Sequence, residues 1–307
     1  MKKILVTGSG GFIFSNFIRK ALFNKSEYSF VSIDVCKGTN VLNNVYANKG
    51  HKLYIGDVAD KHFVNVVFQL ERPDIVIHGA ANNSGDPKEL INSNILGTQT
   101  IVEACQNWSA DKLLYISTDE VYPPDLKFSA TEDISPDPKS IFAATKLTGE
   151  LLVRMSPVNY SILRLGKSYG PRQQTHNFVP TAIQSIFNNK ELTLLGNSNR
   201  TQEWTYVEDI YTGIMTVLEK GEDRQTYNIS SGYEFSYLEV FQEICNIFER
   251  GYELIKFVEH STVHPYKYST DANKLKSLGW KPNFKLKNGL YQTCSWYEKN
   301  LWFLRTS

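Results

Sequence analysis

Ile4-Leu5-Val6-Thr7-Gly8-Ser9-Gly10-Gly11-Phe12-Ile13-Phe14 is the stretch whose reading decides the fold. A buried-strand run breaks into a glycine-rich turn, and helical spacing then carries Phe17, Ile18, Ala21 and Leu22. Strand, glycine turn and helix in that order make a cradle for a pyrophosphate. The glycines let the backbone approach it, and its charge sits on the helix N-terminus. The next apolar run, Phe30-Val31-Ser32-Ile33, ends in Asp34. A carboxylate about 20 residues beyond the turn is placed to take a ribose hydroxyl pair and to repel a 2′-phosphate. A glycine turn with an incidental aspartate is the plainer alternative, and the paired signals outweigh it. Gly8, Gly11, Phe12, Ile13 and Asp34 are therefore expected to hold NAD.

The alternation continues along the chain. A strand over 52–55 ends in Gly56-Asp57-Val58, and a helix carries Phe63, Val66, Val67 and Leu70. A strand over 73–78 ends in Gly79-Ala80-Ala81, where small residues admit a cofactor, so Asp57, Val58 and Ala80 join the expected binding set. A helix over 92–105 precedes a strand at 113–116 that runs into Ser117-Thr118-Asp119-Glu120-Val121-Tyr122. Short connections between alternating strands and helices predict an α/β, Rossmann-type doubly wound parallel sheet. Ligands of such sheets lie outside the carboxyl ends of the strands. The 117–122 stretch then delivers two hydroxyls and two acids to that crevice, unless the acids merely cap the next element. A helix begins near Phe142 and carries Lys146, and a further strand spans 160–165. Beyond it, short helices alternate with isolated strands. The expected division is a dinucleotide domain over 1–166 with a return segment near 204–229, and a smaller α+β substrate domain over 167–307.

Composition narrows the function class. The 307 residues carry 33 Lys+Arg against 32 Asp+Glu, so no basic field of the nucleic-acid-binding kind exists. Any ligand phosphate must be held by a few placed groups. The 4 cysteines are scattered without CxxC spacing and the 6 histidines without HExxH, so no metal is expected. The chain opens on Met-Lys-Lys and a short strand, and no apolar run approaches the roughly 20 residues of a membrane helix. A cytoplasmic protein without membrane contact is the expectation.

Over its full length the sequence resembles an extended short-chain dehydrogenase/reductase. The matching pieces are Thr7-Gly8-x-x-Gly11, Asp34, Gly56-Asp57-Val58, His78-Gly79-Ala80-Ala81, Tyr169-Gly170-Pro171-Arg172, Trp204–Asp209, Tyr227-Asn228-Ile229 and Leu278–Pro282. Ser117–Tyr122 is similar to one branch, the nucleotide-sugar 4,6-dehydratases acting on dTDP-glucose or UDP-glucose. That resemblance implies oxidation of the hexose at C4 with NAD, loss of water across C5 and C6, and return of the hydride to C6. It implies Asp119 as the acid, Glu120 as the base and Thr118 as hydrogen-bond donor to the C4 oxygen. It also implies a homodimer paired through helices at 92–105 and 142–155.

The sequence departs from this pattern at informative places. The resemblance implies a tyrosine one helical turn before Lys146, and position 142 is Phe. Phe142 keeps the ring and loses the hydroxyl that would take the C4 proton, and loss of a positioned base costs about 10²–10⁴-fold in rate. Tyr122, or a water on Thr118, is a possible substitute. Phe14 stands where a third glycine is usual. Two customary diphosphate arginines are replaced by Gln202 and by Ser261-Thr262-Val263-His264. Arg172, Arg200 and Lys167 are candidate replacements, with Asn177 and Asn228 as further substrate contacts. The alternative readings are a nucleotide-sugar epimerase or decarboxylase, and a pseudoenzyme that binds NAD or a nucleotide sugar.

Overall fold

The computed structural model describes residues 1–24, 27–37, 44, 51–195, 201–258 and 267–304. Its first part alternates strand and helix: β1 (Lys3–Thr7), α1 (Phe12–Phe23), β2 (Ser29–Asp34), β3 (His51–Ile55), α2 (Lys61–Glu71), β4 (Ile75–His78), α3 (Gly97–Asn107), β5 (Lys112–Thr118), α4 (Ile141–Met155) and β6 (Tyr160–Leu165). After α5 (Phe178–Asn188) and α6 (Val207–Lys220), β7 (Gln225–Ile229) returns to the sheet. The strands lie in the order β7-β6-β5-β4-β1-β2-β3, and every neighbouring pair is parallel. This is the doubly wound sheet that the glycine turn predicts.

A parallel sheet covered on both faces needs strands that are apolar on both sides. Ile4, Val6, Ile77, Leu114 and Ile116 face α1 and α6. Leu5, Val31, Val76, Leu113 and Tyr115 face α2 and α3. Strand order reverses at β1, which has β2 on one side and β4 on the other. The crevice for a ligand therefore opens above Gly8 and Gly79, with the end of β5 beside it.

The helix expected over 92–105 is not uniform. A short turn at Pro87–Leu90 leads into a π-helical turn, Ile91–Leu96, and only then into α3. The wider turn accommodates Asn94, whose Oδ1 accepts from Asn82 N–H (2.7 Å) and whose Nδ2 donates to Thr145 Oγ1 (2.9 Å). The irregular turn thus clamps the loop after β4 to α4, beside Lys146, consistent with the frequent siting of π-bulges at functional positions.

A second core gathers α5, α7 (Tyr237–Phe248) and α8 (Leu286–Lys299) around Trp204, Tyr206, Phe241 and Leu290. The return to the first core is longer than the segment near 204–229, because Ala272, Leu275 and Trp280 also pack there. Asp209 secures that return. Its carboxylate accepts from the N–H groups of Asn283 (2.7 Å) and Phe284 (3.1 Å). No helix among the described residues is long and apolar enough to cross a membrane.

Candidate active site

Gly8, in a left-handed conformation (φ +75°), shows why the turn after β1 is glycine. A Cβ there would lie 2.8 Å from Ala80 Cα, so any side chain would push the first and fourth strand ends apart. Gly11 begins α1 with no side-chain cap, which leaves first-turn N–H groups for an anion. Phe14 fits because Gly79 has no side chain. The phenyl ring is buried between α1 and the sheet and occupies the space a Gly79 Cβ would need.

Asp34 closes β2 and accepts from Gly10 N–H (2.9 Å) and Cys36 N–H (2.7 Å). Burial raises its pKa, and these two amides oppose the shift. Gly8, Gly11, Phe12, Ile13, Asp34, Asp57, Val58 and Ala80 all line one cleft of about 890 Å³. A glycine cradle, an uncapped helix start and a carboxylate with lone pairs to spare suit a dinucleotide.

A second cleft of about 870 Å³ adjoins the first, and both are walled by Ile13, Gly79, Ile116 and Phe142. Thr118, Asp119, Glu120, Lys146 and Lys167 line the second. Thr118 Oγ1 donates to Asp119 Oδ1 and accepts from Glu120 N–H, both at 3.3 Å. Burial, reinforced by Glu120 and Glu203, pushes the Asp119 carboxyl up to about 8. Burial also raises Glu120, while Lys167 and a 3.4 Å hydrogen bond from Ser140 Oγ oppose it. A carboxyl held well above its ordinary range beside a less completely buried one is an arrangement in which two carboxyls can divide acid and base work.

Lys146 sits one turn after Phe142 on α4. Burial brings its ammonium down to about 7, and Glu150 partly offsets that. Its Nζ lies 4.3 Å from the Tyr115 ring centroid and makes no hydrogen bond among the described residues. Glu150 is occupied elsewhere, by Arg164 (2.9 and 2.7 Å) and Ser117 Oγ (2.6 Å). The cleft therefore offers a desolvated cation and, one turn earlier on the same helix, the Phe142 ring, which lacks a hydroxyl. His78 is neutral, because burial and Lys146 lower its pKa to about 3, and it bridges Thr7 (2.7 Å) and Thr98 (3.0 Å).

Three expected substrate contacts are corrected or fall outside this geometry. Asn177 lines both clefts. Asn228 does not, because it is fully buried. It accepts from Tyr122 OH (2.8 Å) and donates to Ala130 O (2.9 Å) and Asp271 O (3.0 Å). The same bond removes Tyr122 as a stand-in for the missing hydroxyl. Arg172 lines a separate cavity and stacks on Trp296. Arg200, like 261–264, lies outside the described residues. Lys167, a candidate phosphate contact, and residues not singled out as contacts complete the second cleft. Lys167 donates to Tyr237 OH (2.8 Å) and lies 5.5 Å from the Trp204 ring centroid. His176 and Tyr268 join that wall. Trp204 stood in a recognisable motif, but Tyr237 carries no local signal because it merely opens α7.

Known proteins share this architecture. "Low-salt glycan biosynthesis protein Agl12" of Haloferax volcanii is 33% identical over 96% of this chain and 98% of its own length. A dTDP-glucose 4,6-dehydratase of Bacillus anthracis, solved in complex with NAD, superposes with a TM-score of 0.89 at 27% identity, covering 98% of this chain and 97% of its own. A UDP-glucose 4-epimerase of Thermotoga maritima, solved with UDP-glucose, gives 0.89 at 25% identity, over 97% of this chain and 99% of its own. The family model described as "NAD dependent epimerase/dehydratase family" matches residues 4–230. By this match and by the cradle that its own glycines build, the chain belongs to the NAD-dependent epimerase/dehydratase family.

Proposed function

We propose that this chain has the site of an NAD-dependent nucleotide-sugar 4,6-dehydratase, a lyase, in which the dehydration groups are complete and the oxidation group is not. The observation that carries the reading is the Thr118-Asp119-Glu120 cluster at the end of β5, with Asp119 held protonated up to about pH 8. An epimerase has no step that needs an acid and a base side by side. Here Asp119 would protonate the departing C6 hydroxyl while Glu120 takes the C5 proton, and Thr118 would hydrogen-bond the C4 oxygen. Gly8, Gly11 and Asp34 would hold NAD, which supplies the hydride acceptor and donor when bound. Lys146 would steady negative charge at the C4 oxygen, and Asn177 and Lys167 would orient the sugar nucleotide.

Phe142 supports a second reading, a binder of NAD and nucleotide sugar with little turnover. The ring lines the second cleft one turn before Lys146 and has no proton acceptor. Incubation with dTDP-glucose and UDP-glucose, followed by assay of the 4-keto product, separates the two readings. Turnover with either donor sinks the binder. Homodimerisation through α3 and α4 belongs to the same proposal, supported by the exposed apolar side chains of Leu96, Leu151 and Met155 on or beside these helices.

A further inference from the structure

A third cavity, of about 560 Å³, shares no lining residue with either cleft. Its wall joins α1, the turn after Gly170, the start of α6 and the end of α8. Asn16 Nδ2 holds α1 to that turn through Pro171 O (2.9 Å). Among the described residues, four cationic side chains line it, Arg19, Lys20, Arg172 and Lys299, against one carboxylate, Glu208. That carboxylate is already taken by Lys20 (2.7 Å).

The two arginines are the unusual pair. Among the described residues Arg19 donates one hydrogen bond, Nη2 to Asn44 O (3.1 Å), and its buried Nε has no partner. Arg172 has no hydrogen bond and no ion pair among the described residues. Its guanidinium lies 4.8 Å from the Trp296 ring centroid. Its backbone is left-handed (φ +68°), a conformation costly for a residue with a Cβ. Burial lowers the pKa of both groups, and for Arg172 the nearby Arg19 charge adds to the effect. Among the described residues neither guanidinium has a carboxylate partner, and desolvated, mutually repelling charge on one cavity is costly without a counter-ion. The planar donor fork is matched by a tetrahedral oxyanion with several acceptors.

We propose that this cavity is a binding site for a phosphate group, held between Arg19 and Arg172 and distinct from the catalytic clefts. The ligand's phosphate replaces the missing counter-charge of both arginines. Trp296 keeps the Arg172 fork flat and aimed, which a lysine could not do. Arg172 is followed directly by Gln173, which lines both clefts, so an occupant would bear on the turn that borders the active site.

The test is calorimetric titration of the full chain with inorganic phosphate, and separately with glucose 1-phosphate, at fixed ionic strength set with chloride. The native chain is expected to bind, and Arg19→Gln and Arg172→Gln each to weaken binding at least about tenfold, from the loss of charge-assisted hydrogen bonds. Lys167→Gln, in the second cleft, keeps the affinity. Tighter binding of glucose 1-phosphate identifies a phosphate ester as the occupant, and equal binding identifies free phosphate. Should Arg172→Gln unfold for want of its Trp296 contact, Arg19→Gln decides alone. No phosphate-specific heat in the native chain, or binding undiminished in the arginine variants, overturns the proposal. Neither readout depends on turnover.

Discussion

Phe142 stands one helical turn before Lys146 on α4, and the two side chains wall the cleft that holds Asp119 and Glu120. The lysine is desolvated, with its ammonium brought down to about 7, and the phenyl ring one turn before it has no proton to give or take. A cation placed so would lower the pKa of a phenol. Under the proposed function, the tuning group is present and the group to be tuned is not.

Buried titratable groups make stability depend on pH in opposite senses. Asp119 rises from an ordinary 3.8 to about 8 on folding. Its raised pKa stabilises the fold below about pH 4, and that contribution is lost as pH climbs through 8. Asp119→Asn removes this loss. Thermal denaturation is expected to show the variant gaining on the native chain between about pH 4 and 8, with the gap constant above. A gap that shrinks with pH would contradict the burial of this carboxyl.

Lys146 behaves conversely. Its folded value of about 7 lies below the ordinary 10.5, so the cost of burying its charge is full below pH 7 and fades as pH rises towards 10.5. Lys146→Met is expected to be more stable than the native chain at pH 6, with the advantage fading by pH 10.5. Denaturant midpoints at the two pH values check this, and equal differences at both would refute it.

The Phe14 ring fills the space above Gly79, so Gly79→Ala overpacks the core at about 1–3 kcal/mol. Phe14→Leu in the same chain should recover most of that loss, as contacting residues are non-additive. A double-mutant cycle on unfolding free energies measures the coupling, and additivity would show that the two positions do not compete for space.

Much of this was legible in the sequence, and the misses share a cause. The glycine turn, Asp34 and the Thr118–Glu120 strand end were readable because strand and helix periodicity act over a few residues, and the sheet places strand ends together. That Phe142 and Lys146 share one cleft was readable because they lie one turn apart on a helix. Arg172 was misplaced because a positive φ sends its side chain to Trp296, more than a hundred residues on. Asn228 was misplaced because Tyr122, Ala130 and Asp271 consume its hydrogen bonds, all of them distant in sequence. The π-turn at Ile91–Leu96 is invisible to a 3.6-residue pattern, and what makes room for Phe14 is Gly79, on another strand.

We propose that Asp34 carries the cofactor preference. Asp34→Ala is expected to weaken NAD by about tenfold, from the loss of hydrogen bonds to a charged acceptor, while NADP is unaffected or improved. Titrating both cofactors against native and variant protein checks this, and an unchanged ratio of affinities would remove Asp34 from the ribose.

The central claim is that the site lacks one hydroxyl. The direct measurement is the rate of 4-keto product formation from dTDP-glucose and UDP-glucose by the native chain and by Phe142→Tyr. The account predicts a gain of about 10²–10⁴-fold on restoring the base, removed again when Asp119→Asn is added. A Phe142→Tyr protein that binds NAD and nucleotide sugar yet turns over no faster than the native chain would contradict it.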